Sequence, residues 1–224
     1  MSTVQTTPTG SHALAETEVH EPVQVAAPVE PVAAPVGDPS MIGLPMFILA
    51  SIALGLALTG FLPATAAAGA LPIIMLSAGI GIFVAMLWSI RIGASILACV
   101  FGLFATFWLS YATLVLGLTH NWFGIPAADI SKTVSAFLLT WTIGIAVLTG
   151  VTLRLPSAFT ALFALVDLAL ILVLLGNERT NTDLNHAAGW VVLLFAALGV
   201  YLFSGAAVAS LGGKAFPLGK PLSR

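Results

Sequence analysis

The carboxyl group of Asp167 lies within ALFALVDLALILVLLGN, residues 161–177, with unbroken aliphatic residues on both sides. Ionising an acid at the centre of a bilayer costs ~2.5–3.5 kcal/mol on insertion scales. Three devices reduce that cost: protonating the acid, pairing it, or facing it into water. No Lys or Arg shares the stretch, and Arg154 stands 13 residues earlier, roughly 20 Å along a helix. Pairing within the helix is therefore excluded. Two readings stay open: a protonated, hydrogen-bonded structural acid, or a proton-exchanging group beside a polar cavity, as proton-coupled transport requires.

Three aromatic residues form a second cluster. Phe104, Trp108 and Tyr111 follow i, i+4, i+7 spacing in FGLFATFWLSYA, which puts them on one helical face. Trp and Tyr near helix ends mark the membrane interface, but this stripe lies mid-segment. It either packs between helices or narrows a pathway. Asn177 and His186 bound the polar stretch NERTNTDLNH between two apolar runs. Asn177 and His186 are therefore candidate pore, substrate or proton residues, because histidine as a residue type exchanges protons readily, although a lone loop histidine is more often inert.

The elements that must hold these groups follow from composition. Only 7% of the 224 residues are charged and 59% are hydrophobic. Soluble domains carry roughly 25% charged residues, so the chain is built for lipid. The net charge of −2 is too small to call for nucleic acid. Spanning a bilayer takes roughly 20 apolar residues as helix, and six segments qualify: 41–62, 70–90, 92–118, 133–153, 155–175 and 187–211. The predicted fold class is all-α, a polytopic membrane protein with six transmembrane helices per subunit. The junctions at Arg91 and at RLPS are short, so the second and third spans, and the fourth and fifth, are predicted to be antiparallel hairpins.

Residues 1–40 are a Pro/Val/Ala-rich tract with acids but no Lys or Arg. Such a composition buries no core, and a disordered arm is expected. Met1 is followed by neither a basic nor an apolar leader region, so no signal peptide is expected. The domains are thus an arm over 1–40, a transmembrane domain over 41–211 and a short basic tail over 212–224. Arg91, Arg154, Lys214, Lys220 and Arg224 share the termini's side, against Lys132 and Arg179 on the other. Five against two places both termini in the cytoplasm by the positive-inside rule. Small residues, among them Gly55, Gly79, Gly81, Gly144, Gly150, Gly199 and Gly205, permit close helix packing in lipid. Cys99 is a lone cysteine in an apolar run, expected as a small buried hydrophobe.

The final span carries the most specific pattern. His186, Gly189, Trp190, Tyr201 and Gly205 in HAAGWVVLLFAALGVYLFSG resemble the H-x-A-G-W…Y-L-x-x-G motif of the acetate uptake transporters. LLGN before that span, FW at Phe107–Trp108 and PLG at Pro217–Gly219 agree in order. The family's N-P-A-P-L-G-L signature reads DPSMIGL here; Pro39, Gly43 and Leu44 hold, while Asp38, Ser40, Met41 and Ile42 depart. The chain thus resembles a distant member, from about Asp38 onward.

The resemblance implies a homo-hexamer in the plasma membrane, each six-helix subunit with its own pore for acetate-like carboxylates and, in some relatives, succinate. It also implies an apolar constriction, falling by register on Phe47, Phe104 and Val166. Asp167 would then stand beside the narrowest point, exchanging protons or making flux pH-dependent. No cofactor or metal is implied, and no H-E-x-x-H, P-loop or Cys/His cluster occurs. Two other classes compete. One is an intramembrane serine protease, from GASI with Ser95 plus His186, which needs the two within hydrogen-bond reach. The other is a non-transporting assembly or sensory protein that uses the arm as a tether.

Overall fold

The computed structural model describes residues 37–223; the expected disordered arm lies, up to residue 36, outside the described residues. Six helices are long and apolar enough to cross a membrane. They are α1 (Ser40–Leu58), α2 (Ala64–Arg91), α3 (Ser95–Thr119), α4 (Ile130–Thr152), α5 (Ser157–Glu178) and α6 (Thr182–Ser210). No strand occurs among the described residues. This is the all-α outcome that lipid imposes, because a helix satisfies its own backbone where no water can.

Boundaries shift where side chains supply caps that hydropathy does not register. α1 begins at Ser40, ahead of its apolar run, because Asp38 Oδ1 accepts a hydrogen bond from the Ser40 N–H at 2.8 Å. α6 begins five residues before the apolar run, since Asn181 Oδ1 accepts from the N–H groups of Asp183 (2.9 Å) and Leu184 (3.2 Å). That is the action of an N-cap residue. α2 is composite: a 3₁₀ stretch at Ala64–Ala70, a short α-turn, π-helical turns over Ile74–Gly81, then regular helix to Arg91.

Neighbouring helices pack in the order α3, α2, α1, α6, α5, α4, with α3 and α4 touching least. Both predicted hairpins, α2–α3 and α4–α5, form. The tightest crossing is α1 against α6. A Cβ on Gly189 would meet the Thr59 backbone nitrogen at 2.6 Å and the Leu58 carbonyl carbon at 2.9 Å. Gly189 of the H-x-A-G-W pattern is therefore a crossing point where only hydrogen fits. Gly79, Gly81, Gly199 and Gly205 likewise face side chains of neighbouring segments, whereas Gly144 and Gly150 on α4 face nothing within 4 Å. Cys99 is exposed on α3 rather than buried. Polarity cannot tell the two faces of such a helix apart, because its outward face is as apolar as its inward one.

The C-terminal segment folds back onto the bundle. Tyr201 Oη donates to the Pro217 carbonyl at 2.8 Å, and the Tyr201 and Phe216 rings lie 5.3 Å apart. The Leu218 carbonyl accepts from the Ala158 N–H at 3.0 Å, capping the N-terminus of α5. Tyr201 and Gly205 of the final-helix pattern are thus the seat of the PLG segment.

Candidate functional site

Helix periodicity presents one stripe of each span to its neighbours, and the stripes meet around two cavities. The larger, of about 680 Å³, opens where both ends of the described chain lie, since Asp38, Ala215 and Phe216 all line it. Its polar side chains are Asp38, Ser40 and Ser95; the rest of its wall is hydrocarbon or glycine. Phe216 and Leu218 complete the wall, so the folded-back tail is part of this cavity. The smaller chamber, of about 50 Å³, draws side chains from α1, α3, α4, α5 and α6.

The two cavities share Phe47 and Phe104. Their rings meet edge-to-face with centroids 5.0 Å apart, the arrangement favoured by the ring quadrupoles. Phe195 of α6 supports Phe47 at 5.6 Å, and Phe163 of α5 supports Phe104 at 5.5 Å. Ser51 is fully buried one turn after Phe47 and donates to the Phe47 carbonyl at 2.7 Å. Val166 lines the smaller chamber with the two phenylalanines. So do Trp108 and Tyr111, which places the whole aromatic stripe of α3 on the cavities. No Lys, Arg or His lines either space.

Asp167 lies elsewhere. Its Oδ2 accepts a hydrogen bond from Thr149 Oγ1 of α4 at 2.6 Å, and its Oδ1 is buried without a partner. It lines neither cavity, although Val166 beside it does. One residue is a rotation of about 100° on a helix, enough to send the acid to the α4–α5 seam. Asn177 also works between helices: its Nδ2 donates to the Ser131 carbonyl (2.9 Å) and to Ser135 Oγ (2.8 Å), tying the end of α5 to the start of α4. His186 sits against the end of α1, where a Cβ on Gly60 would come 3.1 Å from its Nε2.

His186 and Ser95 stand at opposite ends of the helices. Ser95 opens α3 beside the larger cavity, while His186 opens α6 beside the far end of α1. A serine–histidine pair cannot form across that depth, so no protease dyad exists there. The signature residues have structural and lining roles: Asp38 and Leu44 line the larger cavity, Pro39 is buried, and Gly43 packs on the Phe101 ring. Phe195 and Phe163 carry no local mark in the sequence, each being an isolated Phe in an apolar helix, and Phe216 lies in the tail beyond α6, where nothing in the sequence shows that it folds back.

No curated protein matches the chain in sequence. Among solved structures, that of the bacterial acetate channel SatP superposes with a TM-score of 0.73 at 22% identity. The superposition covers 83% of this chain and all of that one. At this identity the likeness establishes the fold, six membrane-crossing helices with this packing. A family model matches residues 23–212, a range that takes in every helix and nearly all of the lining of both cavities. The chain therefore belongs to the GPR1/FUN34/yaaH family.

Proposed function

We propose that each subunit is a passage for small carboxylates, acetate foremost, and that Phe47, Phe104 and Val166 form its apolar constriction. The observation that carries the reading is the pair of cavities meeting at Phe47 and Phe104 inside one ring of helices. The likeness in fold to an acetate channel supports the choice of solute. An apolar ring passes a solute only after partial dehydration, which excludes large and strongly hydrated species. With no cation in either lining, a bare carboxylate finds no counter-charge, and burying one unpaired is expensive. Movement as the uncharged acid, or of an anion together with a proton, is favoured. Succinate brings two carboxyl groups through the same pair of rings and is the poorer solute.

In this reading the protein is a homo-hexamer of the plasma membrane with both termini cytoplasmic. The larger cavity then opens to the cytoplasm. The test is a panel of radiolabelled short carboxylates in proteoliposomes under an imposed pH gradient, with protein-free vesicles subtracted. Saturable acetate uptake that responds to the gradient is the expected result. Vesicles that neither take up nor leak any member of the panel would overturn the reading in favour of a non-transporting assembly or sensory protein.

A further inference from the structure

The larger cavity is out of scale with acetate. Its volume of about 680 Å³ falls in the ~300–1,000 Å³ range of sites that enclose a drug-sized ligand, and a two-carbon acid offers it a single methyl group. The wall is also polarised along its depth. Asp38, Ser40 and Ser95 supply its polar side chains, and all three stand at or just before the first residues of α1 and α3, at the open end. Deeper along the helices the wall is hydrocarbon, with Leu44, Val100, Leu162 and Leu202 among its residues, down to Phe47 and Phe104.

Ser40 precedes Phe47 by seven positions and Ser95 precedes Phe104 by nine, so the lane from rim to rings is roughly 10–14 Å deep at the helical rise. An extended chain advances ~1.2 Å per bond, and about eight to eleven bonds fill that depth. The rings of Phe47 and Phe104, 5.0 Å apart between centroids, end the lane, and the chamber beyond them holds only about 50 Å³. At the rim a carboxylate and two hydroxyls can accept from and donate to a head group. No Lys, Arg or His lines the cavity, so an anionic head goes unpaired there and an uncharged one is preferred. We infer that the larger cavity is a binding site for undissociated aliphatic monocarboxylic acids of about eight to ten carbons, with the carboxyl group at Asp38, Ser40 and Ser95 and the chain laid inward to the Phe47–Phe104 pair. Binding itself depends on the cavity alone; its consequence for acetate flux rests on the transport reading above.

Each methylene moved from water into this hydrocarbon wall raises affinity about fourfold, the equivalent of ~0.8 kcal/mol. The gain stops once the chain reaches the rings, because a further methylene has only the mouth, and water, to go to. Acids of different length are thus sorted by different parts of one route. The shortest pass the rings, whereas the longer ones are held in front of them. A bound longer acid occupies the route without completing it, and so blocks acetate.

Two measurements on the full chain in proteoliposomes test the site. The first is inhibition of acetate exchange, at equal pH on both sides, by straight-chain acids from butyric to tetradecanoic. The inhibition constant should fall about fourfold per methylene and level off near decanoic acid. A constant indifferent to chain length, or one that keeps falling through tetradecanoic acid as partition into the bilayer does, would overturn the inference. In Ala206→Phe, which puts a ring into the cavity wall, octanoic acid should lose about tenfold in potency relative to butyric acid; an unchanged ratio in a folded variant counts against the site. The second measurement needs neither transport nor a variant: photolabelling by decanoic acid with a diazirine at its chain end. The label is expected on Leu162, Phe163 or Leu202 of the inner wall and should be displaced by unlabelled decanoic acid. Label confined to exposed apolar residues such as Ile143 and Val147 would assign the acid to the bilayer and overturn the site. Absence of acetate exchange in the wild type would remove the transport reading and leave the label to decide this one.

Discussion

Replacing Phe104 by alanine tests the constriction directly. Phe104 is 4% exposed, lies edge-to-face on Phe47 at 5.0 Å and contacts Phe163 at 5.5 Å. Truncating a buried Phe costs 3–5 kcal/mol in well-packed cores. Because this ring borders free space on two sides, it has fewer atoms to lose, and a cost near the lower bound, about 3 kcal/mol, is expected. The functional effect has the opposite sign. A carboxyl squeezed between two rings gives up a bond to water, worth about 1–3 kcal/mol when unreplaced. Joining the cavities lets that water accompany the solute, and every 1.4 kcal/mol recovered is about tenfold in rate. Succinate is the solute most limited by width, so its flux relative to acetate should rise about tenfold or more in Phe104→Ala. Thermal unfolding in detergent and dual-label uptake into proteoliposomes measure the two halves. A folded variant with an unchanged succinate-to-acetate ratio would refute the assignment of the barrier to these rings.

Two further outcomes are expected. In Gly189→Ala the new methyl meets the α1 backbone at under 3 Å, an overpacking that costs about 1–3 kcal/mol and lowers the thermal midpoint. Gly144→Ala, which meets open space within the subunit, is the contrast and leaves the midpoint unchanged or raised. Asp167→Asn retains an acceptor for Thr149 and alters neither cavity wall. Acetate uptake against pH should superimpose on that of the wild type, and a displaced profile would put Asp167 back in the proton path.

Reading Asp167 from the sequence found the right oddity and left its surroundings open. An acid in a run of aliphatic residues is visible in one dimension; the partner that tolerates it is Thr149, 18 positions away on another helix. The aromatic stripe of α3 was more legible, because helical spacing alone puts Phe104, Trp108 and Tyr111 on one face. Whether that face met lipid, a neighbour or a cavity was not legible, since in a membrane all three are apolar surroundings. The resemblance in the final span led to Phe47, Phe104 and Val166, which line one chamber. It could not show that Phe195 props the first ring or that Phe216 and Leu218 close the larger cavity.

Number and type of elements were determined by composition and length. A chain this apolar has to satisfy its backbone internally, and the helix is the local structure that does so. The direction in which each helix faces was settled only by close packing: Gly189 against the end of α1, Tyr201 on Pro217, Val166 turned inward and Asp167 turned aside. In water the polar face of a helix announces its outside. In lipid both faces are hydrocarbon, and orientation becomes a matter of shape that only the assembled bundle decides.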